Sequence, residues 1–293
     1  MTLRSHLLAA RRRLEASGIP APEAARDASV LAGLALGWDR ATVLAHEPDS
    51  APLGFDAAFT ALVDRRARRE PVAYIRGWQE FWGRDFLVSP AVLIPRPETE
   101  SIVEEAAALH GGPAPYGGPG LQSRPLRIID IGTGTGCLAV TLAAEWQGAT
   151  VIATDISAAA LAVARVNADR YGVAGRVEFR EGPYLAGATG PFDLIVSNPP
   201  YIAEQDYQAL MPEVRAFEPA TALRAGADGL RDIREVVAIA AASLVRGGHL
   251  LMEIGYGQAE AVRALVEATP SLELVSIRAD LQGIARTLIA RRA

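Results

Sequence analysis

The sequence predicts an α/β protein in which a small helical bundle precedes a mostly parallel sheet that an antiparallel C-terminal hairpin closes. Residues 3 to about 70 are predicted to be helical, with leucines near helical spacing at their start, and the chain after residue 126 alternates short apolar runs with longer helical stretches. The last two apolar runs are joined by a link too short for a crossover helix, so they should pair antiparallel. The 293 residues suffice for two domains, at the usual ~100 to 200 residues each.

The N-terminal region is predicted to form the helical bundle. Leucines recur near helical spacing from Leu3 to Leu14, and a second helix is predicted from Pro22 to about Gly37. A third helix is predicted from Leu53 to Arg69. Residues 78–88 then switch to aromatic and branched side chains around a glycine-containing turn, which predicts a hairpin. The predicted domains are a helical bundle at 1–75, a hairpin connector at 76–95 and an α/β domain at 96–293.

The α/β domain is predicted from its alternating pattern. After a short helix that begins near Pro97, the glycine- and proline-rich residues 111–125 predict a loop. Short apolar runs separated by helical stretches follow, which is typical of β–α–β units and a parallel sheet. The predicted parallel strands are Arg127–Ile131, Val151–Thr154, Val177–Phe179, Asp193–Ser197 and His249–Ile254. The predicted antiparallel pair is Leu272–Arg278 and Ala285–Ala290.

Composition and charge narrow the function classes. The net charge is −5 and all 29 basic residues are arginine, which disfavours broad binding to a phosphate backbone, so we expect no stable nucleic-acid partner. The single cysteine, Cys137, excludes an intramolecular disulfide, and the scattered histidines lack metal-ligand spacing. We therefore expect neither a redox centre nor a metal.

The hydropathy pattern and the N-terminus predict a cytoplasmic protein without a membrane partner. No window approaches the ~18 consecutive apolar residues of a membrane span. The first residues lack the apolar stretch and the cleavage site of a signal peptide.

A glycine-rich loop between a predicted strand and a predicted helix indicates a nucleotide-sized pocket. Gly132, Gly134 and Gly136 alternate with Thr133 and Thr135. Glycine lets the backbone turn tightly and approach a ligand closely. The GxGxG spacing differs from the GxGxxG dinucleotide fingerprint, so a tight turn without a ligand stays open as an alternative.

Acidic residues flank this loop. Asp155 ends the next predicted strand about 20 residues after the loop, where a carboxylate can accept both ribose hydroxyls. Loop and acid together predict an adenosine-containing cofactor. Asp130, which precedes the loop, has two interpretations: it binds the cofactor, or it organises the loop by accepting backbone N–H groups. Cys137 is expected to pack under the loop without a role.

The most informative segment is Asn198-Pro199-Pro200-Tyr201, which directly follows a buried-type strand. The two prolines end the strand, remove two backbone donors and stiffen the turn. The Asn198 side-chain oxygen and an adjacent main-chain carbonyl offer two acceptors, which suits a planar NH2 group. Tyr201 is expected to offer its aromatic face to that group. A primary amide and an exocyclic amine both fit, and a simple proline-rich turn is the alternative without a ligand.

These two acceptors, which together could clamp an NH2 group, predict group transfer to nitrogen. Amide nitrogens are poor nucleophiles because their lone pair is delocalised. Two acceptors that polarise both N–H bonds would raise the reactivity of the nitrogen and aim its lone pair at a sulfonium methyl. The predicted reaction is direct in-line transfer of methyl from sulfur to nitrogen, without a dedicated general base.

Four segments narrow the interpretation to a family. They are DIGTGTG, SNPPY, the stretch from Glu70 to Glu100 that ends in PRPETE, and RAFEPATAL at 215–223. With them the chain resembles the bacterial release factor glutamine methyltransferases nearly end to end. The resemblance implies a Rossmann-like methyltransferase fold and S-adenosylmethionine as cofactor, with S-adenosylhomocysteine as product. The implied acceptor is the N5 amide nitrogen of the glutamine in the Gly-Gly-Gln motif of class 1 peptide chain release factors.

The resemblance also implies roles for individual residues. The implied cofactor-binding residues are Gly132, Thr133, Gly134, Thr135, Gly136, Asp155, Tyr184 and Asn198. The implied substrate-binding residues are Asn198, Pro199, Pro200 and Tyr201, of which Asn198, Pro199 and Tyr201 would be catalytic. The segment Arg96–Glu100 would help wall the cofactor pocket, and residues 1–75 would bind the release factor.

One departure from the family pattern concerns adenine recognition. Where the family often carries Asp before an aromatic residue, this chain has Pro183-Tyr184. Tyr184 can still stack on adenine, but Pro183 offers no carboxylate for the adenine amino group. Backbone or another residue must then recognise the base.

Two other functions stay open. An N6-adenine methyltransferase acting on DNA or RNA would use the same clamp, although the acidic balance and the lack of a base-reading domain disfavour it. A nicotinamide-dependent oxidoreductase or a noncatalytic nucleotide binder could share the fold. The loop spacing and the absence of an evident hydride-transfer acid disfavour that alternative.

Overall fold

The chain divides into two compact units. The helical unit comprises Met1–Trp78 and Met211–Phe217, and the sheet unit comprises Gln79–Leu210 and Glu218–Ala293. The computed structural model of the protein describes residues 1–111 and 125–293. The loop predicted for residues 111–125 therefore lies outside the described residues, apart from its two ends.

Helices of 5 to 16 residues make up the N-terminal part of the helical unit. They are α1 (Leu3–Ala16), α2 (Ala21–Leu36), α3 (Arg40–Ala45), α4 (Phe55–Ala67) and α5 (Val72–Arg76). The Thr2 side chain caps α1, and Gly37 ends α2 with a φ of +67°. The three predicted helices are present, whereas α3 and α5 are too short to show a helical period in the sequence.

The helical unit buries both an apolar core and a set of charges. Leu14, Leu31 and Val43 are fully buried in its core. Arg66 is also buried, and its guanidinium donates to Asp27 (2.7 Å) and to Glu213 (2.8 Å). Because a buried charge is stable only when it is paired, these carboxylates hold Arg66 in place.

A separate two-stranded hairpin consists of β1 (Trp78–Phe81) and β2 (Arg84–Leu87), and all of it except Trp78 belongs to the sheet unit. A turn at Pro97–Thr99 leads directly into a helix, so the short helix predicted near Pro97 is the start of α6. The helices that follow β2 in the chain are α6 (Glu100–His110), α7 (Cys137–Glu145), α8 (Ala158–Arg170), α9 (Pro212–Phe217), α10 (Arg231–Ser243) and α11 (Ala259–Glu267). Of these, α9 belongs to the helical unit.

The main sheet confirms the predicted fold class. Its strands are β3 (Arg127–Ile131), β4 (Thr150–Asp155), β5 (Val177–Glu181), β6 (Phe192–Ser197), β7 (Leu244–Glu253), β8 (Leu272–Ala279) and β9 (Ala285–Arg292). The spatial order is β5-β4-β3-β6-β7-β9-β8. The first five strands in this order pair in parallel, and β9 pairs antiparallel with both β7 and β8. The prediction started β7 five residues late, because Arg246 and two glycines interrupt its apolar run.

Helices cover both faces of this sheet, which explains why its central strands carry apolar residues at consecutive positions. Along β3, Ile128 packs into the core on one face and Ile129 into the core on the other. On β6, Leu194 and Ile195 alternate in the same way. A strand that is buried on both faces favours apolar residues at consecutive positions rather than only at alternate ones.

The register of the central strands places their carboxyl ends side by side. Ile131 at the end of β3 pairs with Thr154 of β4 and with Ser197 of β6. The chain leaves β3 toward β4 on one side and later returns to β6 on the other. In open α/β sheets, a crevice forms where the strand order reverses in this way.

Candidate active site

A cavity of about 330 Å³ lies in the sheet unit at the carboxyl ends of β3, β4 and β6. This volume is within the range of small-molecule sites. The predicted site residues that line it are Gly132, Thr133, Gly134, Thr135, Asp155, Tyr184, Asn198, Pro199 and Pro200. The structure thus brings the glycine loop, the acid of β4 and the Asn-Pro-Pro turn around one space. Gly136 and Tyr201 are not among its lining residues.

The glycine loop owes its shape to backbone conformations that favour glycine. Gly132, Gly134 and Gly136 have φ values of +76°, +54° and +78°, a region that L side chains rarely adopt. At Gly136 an added Cβ would also lie 3.1 Å from the Cβ of Ala164 in α8. Gly132 and Gly134 therefore shape the cavity, whereas Gly136 lets α7 and α8 approach each other.

Asp130 stabilises the glycine loop and the start of α7 through hydrogen bonds to its carboxylate. Its Oδ2 accepts from the Thr133 hydroxyl (2.6 Å) and from the Ala139 backbone N–H at the start of α7 (3.2 Å). Of the two interpretations of Asp130, these bonds support the one in which it organises the loop. Burial raises the pKa of Asp130 to about 7. Its Oδ1 has no hydrogen-bond partner among the described residues.

Asp155 ends β4 at the wall of the cavity. Its Oδ2 accepts from the Gly134 N–H (2.9 Å) and its Oδ1 accepts from the Ser157 N–H (2.9 Å). Burial raises the pKa of this carboxyl. Each carboxylate oxygen can accept more than one hydrogen bond, so Asp155 can anchor the loop and still accept from two ligand hydroxyls.

Tyr184 lines the cavity in an uncommon backbone conformation. Its φ is +51°, which is rare for a bulky residue and typical of functional sites. The Thr154 hydroxyl stabilises this turn by donating to the Tyr184 carbonyl (2.6 Å). The Tyr184 hydroxyl donates to Asp232 Oδ1 (3.2 Å), and burial together with Asp232 raises the pKa of Tyr184 to about 12.

The turn after β6 is tied to two distant segments. The Asn198 Nδ2 donates to the Thr99 hydroxyl (3.0 Å), which in turn donates to Glu253 Oε2 (2.5 Å) at the end of β7. The Tyr201 hydroxyl donates to Glu253 Oε1 (3.2 Å). Burial raises the pKa of both Glu253 and Tyr201. The expected contact of the Tyr201 ring with a planar acceptor stays a prediction.

The two family-specific segments are joined by one carboxylate. Glu218, which is 5% exposed, accepts from the Ile94 N–H (3.1 Å) and from the Arg96 guanidinium (2.5 Å). Residues on either side of these bonds line the cavity, namely Pro95 before Arg96 and Pro219 after Glu218. The PRPETE and FEPATAL segments therefore form adjoining walls of the same site.

Several residues at the site were not predicted individually. Thr99, Glu218, Asp232 and Glu253 each make a side-chain bond at or behind the cavity wall. Only Glu253 carries a signal that the sequence shows, since it is a lone acid directly after the apolar run Leu250-Leu251-Met252. A buried carboxylate in such a strand must be paired.

The described residues contain neither a membrane-spanning helix nor a metal-binding cluster. Across 1–111 and 125–293, no helix is long and apolar enough to cross a membrane. Within the same ranges, no group of histidine, cysteine, aspartate and glutamate side chains has the arrangement of a metal site.

Comparison with known proteins identifies the class. A family model described as "Methyltransferase small domain" matches residues 120–226, and one described as "PrmC N-terminal domain" matches residues 6–77. A solved structure of a methyltransferase from Pyrococcus furiosus is similar in fold, with a TM-score of 0.51, 18% identity, and coverage of 78% of this chain and 98% of that chain. The matched family model and the fold are those of a methyltransferase.

Curated relatives narrow the class further. A release factor glutamine methyltransferase from Cereibacter sphaeroides is 47% identical over 97% of this chain and 96% of that relative. The one from Nitratidesulfovibrio vulgaris is 42% identical over 99% of this chain and 95% of that relative. The chain belongs to the release factor glutamine methyltransferase family.

The cofactor of this methyltransferase is S-adenosylmethionine, and the residues at the cavity fit it. Gly132 and Gly134 bring bare backbone to the cavity wall, and Asp155 retains acceptor capacity for ribose hydroxyls. Tyr184 and Asp232 place an aromatic ring and a carboxylate side by side at the cavity wall, where a base would fit. These features match the nucleoside part of the cofactor.

Proposed function

We propose that this chain transfers the methyl group of S-adenosylmethionine to the side-chain amide nitrogen (N5) of the glutamine in the Gly-Gly-Gln motif of class 1 translation release factors. The observation that carries the proposal is the shared cavity. Asn198, Pro199 and Pro200 line the same space as the glycine loop and Asp155. An acceptor amide and a nucleoside methyl donor can therefore meet there.

The Asn198 side chain is suited to an amide acceptor. Its Nδ2 is already bonded to Thr99, so its Oδ1 is the atom that can accept from a ligand. Pro199 and Pro200 lack backbone N–H groups, so this stretch of the turn offers acceptors rather than donors. Two acceptors that each bind one hydrogen of an NH2 group would fix the amide plane and favour pyramidal nitrogen.

The reaction balances without a further reactant. When bound, S-adenosylmethionine supplies a methyl group on positively charged sulfur and leaves as neutral S-adenosylhomocysteine. The nitrogen–carbon bond forms as the sulfur–carbon bond breaks, and the sulfur keeps the electron pair. The methylated nitrogen releases one proton to solvent. Asn198 and Pro199 would act by orienting the amide and polarising its N–H bonds.

Mass spectrometry of a release factor before and after incubation with the chain and the cofactor tests this function. We expect one methyl group on the peptide that contains the Gly-Gly-Gln glutamine. The matched control is the same release factor with that glutamine replaced by alanine, which should gain no methyl group. Duplex DNA and RNA incubated in parallel with labelled cofactor should stay unlabelled. Label in the nucleic acid and none in the release factor would refute the proposal and favour N6-adenine methylation.

Adenine recognition in this proposal uses Tyr184 together with Asp232. Pro183 has no side-chain acceptor, whereas Asp232 places a carboxylate at the cavity wall, 3.2 Å from the Tyr184 hydroxyl. The Arg231 guanidinium bonds to the other Asp232 oxygen (2.9 Å) and keeps that carboxylate in place. Tyr184 would stack on the base.

We further propose that residues 1–75 bind the release factor and that the protein works in the cytoplasm. The match to an N-terminal domain model over residues 6–77 supports a dedicated module. Leu8 and Leu44 are half exposed and line a groove on the helical unit that also contains Arg26 and Arg40. Exposed leucines flanked by arginines suit a partner surface that is apolar and acidic.

Steady-state kinetics tests the role of this groove. Changing Leu8 and Leu44 together to serine should raise KM for the release factor several-fold and leave the affinity for S-adenosylmethionine unchanged. Leu281 of the sheet unit is fully exposed, and Leu281→Ser is the control that should change neither value. An unchanged KM in the double variant would remove the groove from the proposal.

A further inference from the structure

Two hydroxyls and one buried carboxylate lie behind the acceptor turn. The Thr99 hydroxyl donates to Glu253 Oε2 (2.5 Å) and accepts from Asn198 Nδ2 (3.0 Å), and the Tyr201 hydroxyl donates to Glu253 Oε1 (3.2 Å). Thr99 and Glu253 are each 2% exposed. Water therefore competes little for these bonds. We call these four residues the Glu253 network.

The direction of the hydrogen bonds follows from the chemistry of the members. An ionised carboxylate can only accept, and a hydroxyl has a single hydrogen to donate. Because Thr99 gives its hydrogen to Glu253, its oxygen can only accept from Asn198. The Asn198 amide must then turn its Nδ2 toward Thr99, which leaves Oδ1 as its remaining polar atom. Asn198 itself lines the cavity.

We propose that Glu253 and Thr99 are positioning residues for methyl transfer, which hold the Asn198 amide so that the acceptor NH2 group meets its oxygen and not its nitrogen. The proposal rests on the function proposed above. An amide side chain has nearly the same shape in both orientations, so packing alone selects neither. A flipped Asn198 would present N–H to N–H and would repel the substrate.

The ionisation of Glu253 sets the direction of the network. The charged and titratable groups around its carboxyl are Tyr201, Arg286, Glu98 and Cys137. A protonated Glu253 could donate to Thr99, and Thr99 could then donate to the Asn198 oxygen. Since burial raises the pKa of Glu253, this reversal would begin at a higher pH than for an exposed glutamate. Turnover should therefore fall on the acid side.

Kinetics of Thr99 variants tests the positioning role. Thr99→Val keeps the shape of the side chain but removes the hydroxyl, so we expect kcat to fall by about 10- to 100-fold with little change in cofactor affinity. Thr99→Ser restores the hydroxyl and should restore most of the rate. Thr141 is also buried, and its hydroxyl has no partner among the described residues, so Thr141→Val should behave as the unchanged chain does. A kcat for Thr99→Val within twofold of the unchanged chain would overturn the proposal.

The pH profile tests the part assigned to Glu253. The unchanged chain should lose kcat as pH falls through the pKa of Glu253, whereas Glu253→Gln should lack this acid limb. Thr99→Val should lack it as well, because the ionisation no longer reaches Asn198. Melting temperature and cofactor binding report on folding in each variant. An acid limb that persists in Glu253→Gln would overturn the role of Glu253.

A measurement without substrate separates this proposal from the proposed function. In 15N NMR spectra, the Asn198 side-chain NH2, assigned with Asn198→Asp, should show one slowly exchanging hydrogen in the unchanged chain and in Thr99→Ser. Thr99→Val should lose that slow exchange. If no release factor is methylated, the proposed function fails and the spectra still decide whether the network holds Asn198. Fast exchange of both hydrogens in the unchanged chain would refute the network.

Discussion

The two sides of the cavity are built in different ways. On the side proposed to hold the cofactor, Asp155 accepts from the Gly134 N–H of the glycine loop, and Asp130 accepts from the Thr133 hydroxyl of that loop. These partners lie within a few dozen residues of one another in the chain. On the acceptor side, the Glu253 network joins side chains from segments that are far apart in the chain, and Thr99 and Glu253 are 154 positions apart. In the proposed function the first side faces the cofactor and the second faces the acceptor amide, so changes on the first side should act on binding and changes on the second should act on turnover.

The largest expected effect lies on the acceptor side. Asn198→Ala removes the side-chain acceptor, and we expect kcat to fall by about 100- to 1000-fold, as when one transition-state hydrogen-bonding group is lost. Calorimetry should show a much smaller change in the dissociation constant of S-adenosylmethionine. Turnover near that of the unchanged chain would refute the clamp. A parallel loss of cofactor affinity would place Asn198 on the cofactor side.

Asp155→Ala should affect cofactor binding more than turnover, the reverse of Asn198→Ala. Loss of charge-assisted bonds to the ribose hydroxyls, which contribute about 1.5–3 kcal/mol each, should weaken cofactor binding by about 10-fold or more. Calorimetry measures this directly. Asp193 offers a matched control, because it is also buried and accepts from the Arg127 N–H (2.8 Å) but does not line the cavity. Equal weakening in Asp193→Ala would mean that Asp155 acts only through folding.

Tyr201→Phe should have a smaller effect on turnover. It removes one of the two hydroxyls that donate to Glu253 and leaves the Thr99 bond in place, so we expect kcat to fall by about 2- to 10-fold. Tyr171→Phe is the control, because the Tyr171 hydroxyl also donates, to the Asp85 carbonyl (2.7 Å), away from the cavity. A loss as large as that of Asn198→Ala would show that Tyr201 touches the substrate.

The smallest expected effect is on stability. Folding raises the pKa of Asp130 from 3.8 to about 7, so the folded state binds this proton more tightly than the unfolded state does. The contribution of Asp130 to stability is therefore full below pH 3.8 and is lost as pH rises to about 7. Asp130→Asn cannot ionise, so its melting temperature should fall less than that of the unchanged chain between about pH 5 and pH 8, by roughly 2–4 °C. If the melting temperatures of both chains fell equally with pH, the raised pKa of Asp130 would not be the cause of the fall.

The contrast between the two sides also explains what could be predicted from the sequence. The loop around Gly134 and the turn at Asn198 are local, because each depends on the conformations that glycine and proline allow. The strand β3 was predicted with its observed bounds, since its apolar run is buried on both faces. Thr99 and Glu253 were not predicted as partners, because nothing local in either segment specifies the other.

The same distinction applies to the walls of the cavity. The resemblance singled out PRPETE and FEPATAL as segments that narrow the interpretation to a family. The bond from Arg96 to Glu218 that joins them depends on how the sheet unit folds, so neither segment alone predicts it. Asp232 was missed for a related reason. It lies in the first turn of an amphipathic helix, where an acid is ordinarily explained by the helix dipole.

Residues 211–217 belong to the helical unit although they follow most of the sheet unit in the chain. This arrangement limits how gene segments can be recombined without disrupting the helical unit. The chain leaves the sheet unit after Leu210 and rejoins it at Glu218. A gene fragment that starts at Gln79 would carry Glu213 without its buried partner Arg66. Recombination with a relative at a single crossover near residue 78 would likewise separate Arg66 of this chain from its own Glu213. An intact helical unit therefore requires that the gene segments for residues 1–78 and 211–217 be inherited from the same parent.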